Sequence, residues 1–191
     1  MDTNIEVVDK AVKKTSKRAH RYFTQSEVET LINGIKNPFH RLICMLVYET
    51  GCTEEAGSLK FEDFDVFGKK IKITNYVKGL PTSEYRYVHI SKFLASLIWK
   101  HKKVCKLSDA DFILAYYSGG APMTATNIQV MLKVYTKDIL GEEYLDRATI
   151  GSLVYSRVFY LLTKGVALTD ICNLLGLNSV WVSHHIVPRL A

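Results

Sequence analysis

Apolar residues recur along this chain in two different periods, and the places where the period changes mark out its elements. Val28, Leu31, Ile32 and Ile35 fall at helical spacing. Thr24 and Glu27 precede that stripe as a Thr-x-x-Glu capping box, and Asn33-Gly34 and Pro38 close it. Leu42, Ile43, Met45, Leu46 and Val47 are dense enough for a buried central helix over Phe39 to Thr50, stopped by Gly51. Thr53, Glu54 and Glu55 read as the acidic first turn of a further short helix running to Leu59, weakened by Gly57. From Phe61 the period falls to two. Phe61, Phe64 and Val66, then Ile71 and Ile73, then Tyr85, Tyr87, Val88 and Ile90 alternate with polar residues around Gly68 and Gly79-Leu80-Pro81, which predicts a small three-stranded antiparallel sheet.

Helical spacing then returns. Ser91 opens a helix through Phe93, Leu94, Leu97, Ile98 and Trp99, with Lys100-His101-Lys102-Lys103 at the negative end of its dipole. Asp111 to Tyr117 is a short apolar stretch, Ser118 to Pro122 a turn, and Thr124 starts a helix through Ile128, Met131, Leu132 and Tyr135 that ends near Gly141. In the last quarter Leu153, Val154, Val158, Leu161 and Leu162 form one helix and Lys164-Gly165 a turn. Ile171, Leu174 and Leu175 form a second helix stopped by Gly176, and a third short helix is expected after it. The fold class is α+β, mainly helical, with one small sheet.

With 191 residues the chain can bury a proper core, so one domain over 23–191 is expected, behind an arm over 1–22. Lys10, Lys13, Lys14, Lys17, Arg18 and Arg21 crowd that arm. A net charge of +6 favours an acidic partner, nucleic acid before an anionic membrane surface. No run reaches the roughly 18 apolar residues that would span a bilayer. The first residues carry Asp2 and Glu6 rather than a signal pattern, so an intracellular site, cytoplasm, nucleoid or nucleus, is expected. Cys44, Cys52, Cys105 and Cys172 lack paired spacing, so buried free thiols are expected and no metal or cofactor.

Several stretches together resemble the tyrosine recombinase (phage integrase) catalytic domain, from Phe23 to about Val187. Phe-Thr-Gln-Ser-Glu-Val-Glu-Thr-Leu from Phe23 is similar to that family's opening helix. Leu46 to Gly51 resembles its apolar helix ending in Thr-Gly, and Leu59-Lys60-Phe61-Glu62-Asp63-Phe64-Asp65 its passage into the sheet. The order helix, Gly165-Val166, helix and Leu175-Gly176-Leu177 resembles the region that carries His-x-x-Arg, Leu-Gly-His and the nucleophilic tyrosine. The resemblance implies a fold that holds duplex DNA and a reaction in which tyrosine attacks a phosphate. A phenol near pKa 10 is a weak nucleophile, and the charge on the phosphate needs preorganised donors, each worth about 3 kcal/mol.

The positions that the resemblance assigns to this chemistry hold other residues. The first arginine falls on Thr53, or on Cys52 if the one-residue shortening before Leu59 lies elsewhere. The His-x-x-Arg pair falls on Gly151 and Val154, the second histidine on Leu177 and the nucleophile on Ile186, and no tyrosine follows Tyr160. Only the sheet lysine, Lys78, matches. A rearranged cationic site would have to draw on Arg157, His184 and His185.

The expectation is therefore an inactive recombinase-like protein that binds double-stranded DNA. Lys69, Lys70, Lys72, Lys78, Arg86, Arg147 and Arg157 are its candidate phosphate contacts, with Lys13, Lys14, Lys17 and Arg18 from the arm. The family's N-terminal half of the DNA clamp is not expected, so grip by one copy should be weak and salt-dependent. The rival reading is an oligomerisation or protein-docking module using the C-terminal segment with Trp181, Val182, Ile186, Val187 and Leu190. Strand cleavage by substituted residues is the third.

Overall fold

The computed structural model describes residues 22–77 and 80–177. Residues 1–21 of the expected arm and Lys78, and everything after residue 177, including Ile186 and the expected third short helix, lie outside the described residues. Helix α1 spans Gln25–Gly34, and Thr24 caps it through the full capping box with Glu27. Helix α2, Pro38–Thr50, starts with Asn37 Oδ1 accepting from the Phe39 and His40 amides and with proline in the first turn, where a missing N–H costs nothing. The sheet follows, as β1 Phe64–Asp65, β2 Lys70–Val77 and β3 Leu80–His89. Helices α3 Lys92–Val104, α4 Ala125–Ile139, α5 Ile150–Thr163 and α6 Leu168–Leu175 complete the described fold.

α2 is the axis of the core. Ten of its thirteen residues are buried, which leaves it no solvent face, and α1, α3, α4 and α5 pack around it. Leu42, Ile43, Leu46 and Val47 are fully enclosed, each contributing roughly 1.5–3 kcal/mol of transfer free energy. Even its polar end is used inside: Glu49 accepts from the Ser91 amide and hydroxyl, both at 2.7 Å, and so fixes the start of α3. A smaller cluster of Val158, Leu161, Ile171, Cys172 and Leu175 welds α6 to α5.

The sheet is antiparallel in the order β1-β2-β3, with Ile71 opposite Val88 and Lys72 opposite Tyr87. Ile71, Ile73 and Val88 point into the core; an irregularity between Thr74 and Tyr76 shifts the register near the hairpin tip. Two expectations need correction, and one element went unpredicted. The helix expected from Thr53 to Leu59 is a single 3₁₀ turn, Glu55–Ser58, because the Glu55 carboxylate accepts from the Thr53 amide and Gly57 favours no longer helix. The first strand is only two residues, since Phe61–Asp63 turns as 3₁₀ helix and Val66 lies in the turn before β2. A 3₁₀ segment at Glu142–Arg147 was not predicted, having no buried residue to give it an apolar period. Cys44, Cys52 and Cys172 are buried free thiols as expected, and Cys105 is half-buried.

Candidate nucleic-acid interface

Strand alternation divides the sheet into two unlike faces. One faces the core. The other presents Lys70 beside His89, Lys72 beside Tyr87 and Thr74 beside Tyr85 as cross-strand pairs. Lys72, Tyr85, Tyr87 and His89 are exposed on it, and Lys69 and Lys70 are half-exposed at its start. The Lys72 ammonium lies 4.5 Å from the centre of the Tyr85 ring, and the Tyr85 and Tyr87 rings meet edge to face at 5.5 Å. Asp65, opposite Lys70, is the acidic residue paired on this face.

Arg86 lies on the other side of the same strand. It shares the parity of Val88 and is buried, with its guanidinium donating to Asn75 Oδ1 at 2.7 Å and standing 3.7 Å from a Glu55 carboxylate oxygen. Its Nε and Nη2 are enclosed without a hydrogen-bond partner. Gly176, at φ +67°, closes over it: a Cβ there would sit 2.5 Å from Arg86 Nη1. Gly51, at φ +72°, also lies close to α6, where a Cβ would meet the Leu175 carbonyl oxygen at 2.8 Å. These two close approaches bring the stretch of Cys52 and Thr53 beside that of Leu175 to Leu177. Arg86 enters between them. Burial pushes the Cys52 thiol up to about 12, with Arg86 opposing the shift and Glu55 adding to it.

The remaining candidate arginines belong to the helical side of the domain. Arg147 stands 3.6 Å from a Glu27 carboxylate oxygen and stacks over the Tyr144 ring at 5.0 Å. Arg157 lies between Tyr48 and Tyr160, at 5.4 and 5.3 Å from their ring centres. Burial raises the Tyr48 phenol and the Arg157 charge holds it back. The structure thus joins Lys70 and Lys72 on the sheet, with Lys69 in the turn before it, but does not join Arg86, Arg147 and Arg157 to them. Arg86 was legible as core-facing from its two-residue step to Val88; Tyr144 and Tyr160 lie three residues from Arg147 and Arg157, but Glu27 and Tyr48, the partners that tie those arginines to other helices, are more than a hundred residues away in sequence and gave no such signal. What sequence reasoning missed on this face is the exposed pair Tyr85 and Tyr87, taken for strand markers only.

Of the positions matched to the recombinase chemistry, Thr53 is half-buried, Gly151 lies in the first turn of α5, Val154 is buried in the core and Leu177 packs against it. None carries a charge. Among the described residues no cluster of three or more histidine, cysteine or acidic side chains could hold a metal, and no helix is long and apolar enough to cross a membrane.

This order of helices around a three-stranded sheet is that of the tyrosine recombinase catalytic domain. The crystal structure of XerA recombinase superposes with a TM-score of 0.71 at 17% identity over 85% of this chain and 58% of that one. The Tn1549 transposon integrase in complex with transposon right end DNA gives 0.67 at 17% identity, covering 86% and 61%. XerH site-specific recombinase bound to difH substrate gives 0.61 at 21%, covering 81% and 47%. The chain therefore spans about half to three-fifths of these recombinases. No protein-family profile and no curated protein sequence matches it.

Proposed function

We propose that this chain is a non-catalytic DNA-binding protein built on the recombinase fold, holding duplex phosphates through the basic face of its sheet. The observation that carries this reading is the open sheet face that presents Lys70 and Lys72, with Lys69 in the turn at its start, in a fold whose solved neighbours include DNA complexes. Lys78 and the arm residues Lys13, Lys14, Lys17 and Arg18 would extend that grip. Each lysine that neutralises a phosphate releases a counterion, so the affinity should fall steeply with salt.

The reading as non-catalytic rests on the chemistry of the matched positions. Phosphoryl transfer to a phenol needs a nucleophile and several preorganised cations, and loss of one donor costs about two to three decades in rate. Thr53, Gly151, Val154, Leu177 and Ile186 supply none of them. The test is incubation with duplex DNA followed by denaturing electrophoresis. The expected result is a native complex without any band surviving denaturation; a denaturation-resistant protein–DNA adduct would return the chain to the enzymes.

A further inference from the structure

We propose that the outer sheet face carries a second binding mode, for single-stranded nucleic acid, in which unpaired bases stack on Tyr85 and Tyr87 while Lys70 and Lys72 hold the flanking phosphates. This deepens the reading of that face as a nucleic-acid site and rests on it.

The argument starts from the rings. Tyr85 and Tyr87 keep 53% and 58% of their surface open, although each stands in a ten-residue strand whose alternate residues Arg86 and Val88 are buried. Two residues apart on one strand, they project from the same face on neighbouring steps of the sheet. Thr74, opposite Tyr85, is short, and Lys72, opposite Tyr87, reaches diagonally to set its ammonium over one face of the Tyr85 ring, so a base that stacks there takes the other face or displaces that ammonium. Phe67, 93% exposed in the turn leading to Lys69 and Lys70, adds a third ring at the sheet margin. A duplex has little use for such a surface, because its bases turn their π-faces to one another and offer a protein only edges and phosphates. A single strand offers π-faces together with phosphates. Exposed aromatic rings interleaved with lysines on a sheet, here set edge to face, offer partners for both. Charge agrees with the occupant: Lys70 and Lys72 border the rings and Lys69 stands in the turn before them, against Asp65 at the edge and Glu84 next to Tyr85.

The test uses the full chain with a labelled 20-nucleotide oligo(dT) and a labelled ~30 bp duplex at one fixed salt concentration. Three proteins are compared: the wild type, Tyr85→Phe with Tyr87→Phe, and Tyr85→Thr with Tyr87→Thr. Threonine keeps the strand propensity while removing the ring. The phenylalanine variant should bind oligo(dT) as the wild type does. The threonine variant should lose on the order of tenfold or more, as base–aromatic stacking requires, while its duplex affinity stays within about twofold. Equal oligo(dT) binding by the threonine variant and the wild type overturns the proposal and leaves the duplex reading intact. Failure of the wild type to bind oligo(dT) also overturns it, and a concentration-dependent rise in mass would then give the face to a second copy of the chain. Oligo(dT) binding without duplex binding would sustain this inference and sink the duplex reading.

Discussion

Removing the Arg86 side chain leaves the Glu55 carboxylate buried without its countercharge. Both side chains are about nine-tenths enclosed, so solvent cannot take the place of the missing partner. Arg86→Ala should therefore destabilise the fold by about 3–5 kcal/mol, and pairing Arg86→Met with Glu55→Gln should recover a good part of the loss. Urea denaturation checks both; an unshifted midpoint in the single variant would mean that the pair does not hold the sheet to the helices. Asp111 gives a pH signature instead. Its carboxylate accepts from the Gly119 amide at 2.7 Å, from the Ser108 amide at 2.7 Å and hydroxyl at 2.8 Å, and from the Ser118 hydroxyl at 2.9 Å, and these bonds hold its pKa far below the usual carboxylate range. A lowered folded pKa means that the unfolded chain binds more protons in acid. The stabilisation is therefore complete above the unfolded value near 4 and is lost as pH falls toward the folded one. Asp111→Asn should lower Tm at pH 7 and converge on the wild type in strong acid, which thermal melts across pH will show.

At the scale of elements, caps and junctions decide where helices begin. Ser91 both caps α3, accepting from the Leu94 amide at 3.1 Å, and donates to Glu49 at the end of α2. Ser91→Ala should cost about 1–2 kcal/mol, more than an isolated cap at the low end of the range, because it also strips a donor from a buried carboxylate. A loss below about 0.5 kcal/mol in chemical denaturation would show that the junction carries little. Elements announced by a period and a cap were legible in the sequence: Thr24, Ser91 and Thr124 cap the helices they were expected to open, and β2 and β3 pair where alternation was read, although the alternation read over Phe61 to Val66 gave only a two-residue strand. Glu55–Ser58 and Glu142–Arg147 were not, because a 3₁₀ turn of a few residues is shaped by side-chain bonds such as Glu55 to the Thr53 amide and shows no apolar period. The start of α5 was placed too late for a similar reason: Thr149 caps it at Ile150, but Gly151 and Ser152 break the stripe there.

At the scale of the whole molecule, charge that the sequence offers as one population is sorted by burial and by face. The +6 excess says that an acidic partner is favoured, yet three of the candidate cations serve the fold: Arg86 meets Glu55, Arg147 meets Glu27, and Arg157 lies between two tyrosines. Lys70 and Lys72 remain on the open sheet, with Lys69 in the turn before it. The strand period that separates Arg86 from Tyr85 was readable, whereas the long-range pairings were not, since nothing local marks a contact between Glu27 and Arg147. The proposal that this sheet face grips DNA is tested most directly by fluorescence anisotropy of a labelled ~30 bp duplex at low and moderate salt, with the wild type and with Lys70→Glu plus Lys72→Glu. The account predicts wild-type binding that weakens steeply with salt, and in the double charge-reversed protein an affinity at least tenfold lower with a shallower salt slope. Equal binding by the two proteins, or no salt-dependent binding by the wild type, would contradict it.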